Sequence, residues 1–185
     1  MISKAYRRLG ILKRKTRELF NELALKVLYY ALVRSNLEYY SIIWDPNYRN
    51  KIEIIERIQT NFLRYLLYKK NGLYLHDISS SRLRDIFNMP SLCSRRDVFC
   101  VLFFYKVING SIDCSDIPSS INFAVPGKPL RNQISFPNVY SRFNYISRFS
   151  LYKFYGTFNR ISDELDIYHM SPGVFKSNCL QLLNA

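Results

Sequence analysis

Apolar residues return every three or four positions through most of the first 110 residues, the period of an α-helix with one face turned inward. Around residues 2–18, Tyr6, Leu9, Leu12 and Leu19 keep that step among basic side chains, although Gly10 weakens the helix by about 1 kcal/mol. The pattern predicts a second helix from about Asn21, a residue suited to capping, to about Trp44. Leu25, Leu28, Leu32, Leu37 and Ile43 lie within its apolar faces. Asp45-Pro46 stops it, because a residue before proline is driven out of the α region. The clearest stripe is Ile55, Ile58, Phe62 and Leu66, within a third helix predicted from about Tyr48 to Tyr68. Glu53 and Arg57 are spaced to pair on another face of it, and Asn71-Gly72 supplies a left-handed stop.

A short helix is expected over Ser79–Asn88 and a longer one from about Leu92 to Asn109. Val98, Val101, Leu102 and Tyr105 make the core stripe of the longer one, and Asn109-Gly110 ends it. From Asp113 onward, Pro118, Pro126, Pro129 and Pro137 predict a loop with short extended pieces at most. Residues 138–160, rich in aromatics and arginine, mix periodicities and resolve into no single element; a last helix is expected over Gly173–Leu183. No internal repeat interrupts this order. The expected fold class is mainly α. An antiparallel helical bundle covers residues 1–110, a proline-rich loop or linker 111–137, and a more irregular, partly helical aromatic and basic segment 138–185.

Charge turns the question toward partners. The 27 Lys and Arg residues outweigh 14 Asp and Glu for a net +13, and the excess is uneven. Residues 1–70 carry 15 basic and 6 acidic side chains, a net of +9, against 12 and 8, a net of +4, over 71–185. Such a field draws polyanions, nucleic acid first and an anionic membrane surface second. The longest apolar run, Val27 to Val33, is far short of the about 20 residues that a spanning helix needs, and membrane is not an expected partner. Residues 1–20 carry no secretory apolar core, so a nuclear or cytoplasmic protein with reduced cysteines is expected. On that basis Asn109-Gly110-Ser111 reads as a turn and not as a glycosylation acceptor.

Catalytic patterns are missing from the sequence. Two-metal polymerases and nucleases need converging carboxylates, yet no Asp-Asp pair occurs. Asp163-Glu164, the only adjacent acidic pair, suits a solvated helix start, and Asp113 and Asp116 suit turns or caps. His76-Asp77 stands near no nucleophile pattern, and Cys93, Cys100, Cys114, Cys179 and His169 lack zinc-ligand spacing. No catalytic residue, metal ligand or cofactor is therefore expected.

The front of the chain offers binding instead. Arg7, Arg8, Lys13, Arg14, Lys15 and Arg17 could neutralise several phosphates, with Tyr6 available to stack. A solvated face is the alternative, against which stands the one-signed excess without acidic neighbours. Arg95-Arg96, beside Asp97, reads equally as a surface pair or a phosphate contact. Tyr39, Tyr40 and Trp44, at helical spacing, are expected in the core sooner than as a base-stacking platform. Arg34 and Glu38 are spaced for an internal ion pair.

Residues 32–66 carry something more specific. Leu32, Val33, Arg34, Ser35, Leu37, Glu38, Tyr39, Ser41, Trp44 and Pro46, then Ile55, Glu56, Ile58, Gln59, Phe62, Leu63 and Arg64, follow one another as in a known pattern. It resembles the segment after the palm in reverse transcriptases of jockey-like non-LTR retrotransposons of insects. Leu9-Gly10 resembles that family's upstream Leu-Gly step. Pro90-Ser91-Leu92, Arg95-Arg96-Asp97 and Phe175-Lys176 fit its tail more loosely. The resemblance is dense over about residues 5–110 and thin beyond.

It implies a thumb-like helical domain and a C-terminal tail of an RNA-directed DNA polymerase. The palm, with its catalytic aspartates and magnesium, would precede Met1. The expected partners are then RNA, DNA or an RNA–DNA hybrid, and the palm of a parent polymerase. Residues 7–17 would grip the backbone, on a scaffold formed by the second and third helices. A basic protein-interaction or structural module with no nucleic-acid role is the alternative; charge gathered on one face would favour the former and even spread the latter.

Overall fold

The computed structural model describes residues 1–46, 48–72, 77–114, 116–124, 135–137, 142 and 149–184. Among these the chain is mainly α-helical and without strands. His76, Pro126, Pro129 and most of 138–148 lie outside the described residues. Contacts divide the chain into two units, Met1–Cys93 and Ser94–Ala185. The division falls in the first turn of a helix that the sequence reading assigns whole to a bundle ending at residue 110. The reason lies in the partners of that helix in the second unit.

In the first unit α1 (Ile2–Lys15) buries Leu9 and Leu12 as the periodicity marks, but with Ala5 in place of Tyr6, which is 37% exposed. Asn21 caps α2 (Glu22–Tyr29) as expected, its Oδ1 accepting from the Ala24 N–H at 3.1 Å. The long second helix then departs from expectation. Tyr30–Arg34 widens into a π-turn, Ser35–Glu38 is a last helical turn (α3), and the chain breaks before a one-turn α4 (Ser41–Trp44). Side chains compete here for helical carbonyls. Ser35 Oγ donates to Ala31 O at 2.5 Å, Asn36 Nδ2 to Leu32 O at 2.8 Å, and Trp44 Nε1 to Tyr39 O at 2.6 Å. Tyr40 takes the left-handed conformation, φ 50°, which ordinary side chains seldom adopt. Tyr39 and Tyr40 are consequently 69% and 63% exposed, rings edge to face at 4.3 Å, and not in the core.

The helix α5 (Arg49–Asn71) outlasts its predicted end by one turn and stops at Gly72, φ 72°, where left-handed backbone needs glycine. Ile55, Ile58, Phe62 and Leu66 are all buried, and Phe62 stacks on Tyr29 at 4.1 Å. The expected Glu53–Arg57 pair is replaced by Arg49–Glu53 at 3.1 Å, the same spacing one turn earlier. Arg34 and Glu38 do pair, at 3.4 Å, with the guanidinium 3.6 Å from the Tyr30 ring centroid. Helices α1, α2 and α5 pack on one another, and α6 (Ser80–Phe87), capped by Ser79, packs on α5. Gln59 Nε2 donates to Pro90 O at 2.8 Å, and Glu56 Oε1 accepts from the Cys93 N–H at 2.7 Å. That carboxylate satisfies a free amide at the start of α7 (Leu92–Ile108).

In the second unit α7 directs Val98, Val101, Phe104 and Tyr105 into a core of its own. Phe104 stacks on Phe154 at 4.6 Å and Tyr105 on Phe175 at 4.0 Å. These partners come from α9 (Ser150–Asn159) and α10 (Pro172–Asn184), which is why α7 belongs here and not with the first bundle. The expected loop contains a short helix, α8 (Asp116–Ser120), and α9 lies where mixed periodicity had predicted nothing. Asn109 ends α7 as a turn residue, its Nδ2 donating to Tyr105 O and Ile167 O at 2.9 Å each, ahead of Gly110 at φ 66°. Among the described residues, no helix is long and apolar enough to cross a membrane.

Candidate nucleic-acid interface

The six basic residues singled out in the sequence do not share one face. Arg7 and Arg14, seven apart, lie on the outer surface of α1, with Lys15 beside them; all three are exposed. Arg8 sits on one flank, half-buried, its Nη1 donating to Leu32 O of the π-turn at 3.2 Å. Lys13 sits on the other flank, half-buried, its Nζ 5.6 Å from the Tyr65 ring centroid. Arg17 lies beyond the helix, exposed.

What gathers part of this set is the end of α1. Thr16 closes the helix, its Oγ1 donating to Leu12 O at 2.8 Å. The Tyr65 hydroxyl of α5 lies 2.9 Å from Thr16 Oγ1 and 3.0 Å from Thr16 O, both buried. Lys69, one turn further along α5, donates to Arg17 O and places its ammonium 4.4 Å from the Phe20 ring centroid. The two helix ends thereby enclose a groove of about 460 Å³. Lys13, Arg14, Arg17 and Lys69 supply its charge, and Phe20, Tyr65 and Tyr68 its rings.

Among the described residues none that line the groove is acidic. Elsewhere in the unit three helical cations have carboxylates four residues away: Lys26–Glu22 at 2.6 Å, Arg34–Glu38 at 3.4 Å and Arg49–Glu53 at 3.1 Å. Arg14 and Glu18 have that spacing too, but α1 ends at Lys15 and the helical geometry never forms. Among the described residues, the four groove cations have no carboxylate partner. Burial lowers the Lys13 pKa from its ordinary value. A neighbouring anion would oppose that shift.

Arg7, Arg8 and Lys15 stay outside the groove, so only three of the six predicted contacts converge. Lys69, Phe20, Tyr65 and Tyr68 are additions that sequence reasoning missed. The doublet Lys69-Lys70 before the Gly72 stop was a visible signal; the meeting of two helix ends about fifty residues apart was not.

The other candidates resolve differently. Arg96 is 2% exposed and therefore neither a surface pair nor an accessible phosphate contact. Asp97 lies 2.8 Å from Lys153 and 3.9 Å from Arg160, joining α7 to α9. Burial pushes the Asp97 carboxyl up and the Lys153 ammonium down to about 8, with Arg160 adding to the latter; their mutual contact opposes both shifts. Ser162–Glu164 forms a 3-10 turn, and Asp166 Oδ1 accepts from the N–H groups of Tyr168 and His169 at 2.9 and 3.3 Å. Among the described residues no three His, Cys, Asp or Glu side chains converge as a metal site would require. Comparison with protein-family models, with curated proteins and with solved structures finds no match.

Proposed function

We propose that this chain is a non-catalytic nucleic-acid-binding piece that holds template–primer backbone for an active site elsewhere. It would act as the thumb and tail of a jockey-like reverse transcriptase does, in the nucleus or cytoplasm. The observation that carries the reading is the unpaired cations at the end of α1, beside exposed aromatic rings. Four cations without carboxylate partners repel one another, and a polyanion relieves that repulsion while releasing its own counterions. Contacts to phosphate carry no direct base information, which suits a surface that must accept any sequence.

A second reading, a basic protein-interaction module, draws on Leu23 and Val27, exposed and four residues apart on α2. One set of substitutions separates the two. Replacing Arg7, Arg14, Lys15 and Arg17 by Gln keeps long side chains at exposed positions and leaves the Arg8 and Lys13 flank contacts in place. Affinity for a random-sequence RNA–DNA hybrid should fall at least ten-fold, with the thermal melt preserved. Unchanged affinity with an intact melt would favour the interaction module. Magnesium-dependent primer extension above a heat-killed control would refute the non-catalytic part.

A further inference from the structure

Phe20 is 72% exposed, although a phenyl ring has no polar atom to reward contact with water. The Lys69 ammonium lies 4.4 Å from its centroid, within cation–π range. Beside it Tyr68 is 36% exposed, while Tyr65 forms the floor, 5% exposed and also within 5.6 Å of both Lys13 and Lys69. Gly72 borders the groove with no Cβ, and one placed there would meet nothing within 4 Å among the described residues. The groove therefore combines the exposed Phe20 ring with cations that have no carboxylate partner among the described residues, and its about 460 Å³ falls in the range of small-ligand sites.

Phosphate alone needs only the cations; a ring platform among them needs a flat apolar partner that is itself attached to an anion. An acidic peptide supplies the charge without the plane. A base-paired duplex supplies the charge with its planes already stacked and covered. An unpaired nucleotide supplies both. We infer that the groove between the ends of α1 and α5 seats one unpaired nucleotide, its base on Phe20 and its phosphate on Arg14 and Arg17. This rests on the nucleic-acid reading above and narrows it to a strand end or a single-stranded overhang. Since every base has a π face, the seat takes any of them.

The test uses the full chain and three probes of equal phosphate number: a single-stranded DNA carrying 2-aminopurine at its end, the matching RNA, and a blunt duplex. Stacking on the ring should change the 2-aminopurine emission, and Phe20→Ala should abolish that change. The same substitution should weaken single-strand binding about ten-fold while leaving duplex binding and salt dependence as they were. Phe20→Leu, which keeps apolar bulk without the π face, should behave like Phe20→Ala. Phe20 is exposed, so both variants should melt with the parent chain, and a melt run beside each titration checks this. Equal loss on single strands and duplex, no loss on either, or full rescue by Leu would overturn the inference and leave backbone binding standing. Failure of all three probes to bind would overturn the nucleic-acid reading and the inference with it. Binding of DNA and RNA alike supports the shared base-and-phosphate chemistry; preference for RNA alone would transfer recognition to the 2′-hydroxyl and overturn the assignment to the ring.

Discussion

Replacing Tyr65 by Phe removes one oxygen from the point where the end of α1 meets α5. That hydroxyl has a single proton and three neighbours: Thr16 Oγ1 at 2.9 Å, Thr16 O at 3.0 Å and Lys13 O at 3.4 Å. Thr16 Oγ1 spends its own proton on Leu12 O, so toward Tyr65 it can only accept. A buried acceptor left without a donor costs about 1–3 kcal/mol. Here the lower end applies, because Thr16 O keeps the Leu19 N–H at 3.2 Å. The loss expected for Tyr65→Phe is therefore about 1 kcal/mol. Tyr65→Ala, which also empties the space of a buried ring, should cost about 3–5 kcal/mol. Trp44 is the only tryptophan and lies in the first unit, so its emission during urea unfolding reports that unit alone. In a double-mutant cycle with Thr16→Val, the coupling should be about 0.5–1.5 kcal/mol. Additive effects, or a Tyr65→Phe variant as stable as the parent, would refute the claim that this hydroxyl anchors the groove.

Gly10 lies inside α1 with open space where a Cβ would stand, so Gly10→Ala should stabilise the first unit by up to about 1 kcal/mol; a loss in the urea midpoint would contradict it. Phe62→Ala, which deletes the ring stacked on Tyr29, should cost about 3–5 kcal/mol in the same assay, and less than 1 kcal/mol would mean that the ring is not in the core. In the second unit burial pushes the Cys100 and Cys179 thiols up to about 12 from an ordinary 9.0. Both stay protonated when folded, so their contribution to stability is complete below pH 9 and is lost as pH rises from there toward 12. Native protein at pH 8 should accordingly be alkylated at Cys93 and Cys114, which are only half-buried, and equal rates at Cys100 in a peptide-mapping experiment would refute this.

How far the chain could be read from its sequence depended on whether the deciding contacts were local. The α5 stripe, the Asn21 cap and the Gly72 and Gly110 stops are short-range matters, and periodicity with capping chemistry located each. The break at Tyr39–Tyr40 was hidden. It arises where Ser35, Asn36 and Trp44 side chains take carbonyls that a continuous helix would use, a competition that an apolar pattern does not record. Helix α9 was hidden for another reason: Phe154, Tyr155 and Phe158 are buried around Gly156, and its first residue follows Phe149, which offers no side-chain cap. A helix-forming stripe also says nothing about its partner, which is why α7 was assigned to the wrong neighbours. The basic cluster was legible as charge. Its division into a groove set (Lys13, Arg14, Arg17) and an outer set (Arg7, Arg8, Lys15) was not, because Tyr65 and Lys69 create it from another helix.

The residues on which the proposed likeness to retrotransposon reverse transcriptases rests have structural roles in this chain. Val33, Leu37, Ile55, Ile58, Phe62 and Leu63 are buried. Arg34 pairs with Glu38, Trp44 holds Tyr39 O, Gln59 holds Pro90 O before α7, and Glu56 accepts from Cys93 N–H in its first turn. Those residues build the scaffold, while the proposed contacts lie in α1, in the segment just after it and at the end of α5.

Backbone binding has one direct signature, the dependence of affinity on salt. Fluorescence anisotropy of the full chain on a random-sequence hybrid, between about 50 and 300 mM monovalent salt, yields the slope of log K against log salt. If about four side chains contact phosphate, that slope is about −3.6. A slope indistinguishable from zero, with binding still present, would contradict the account.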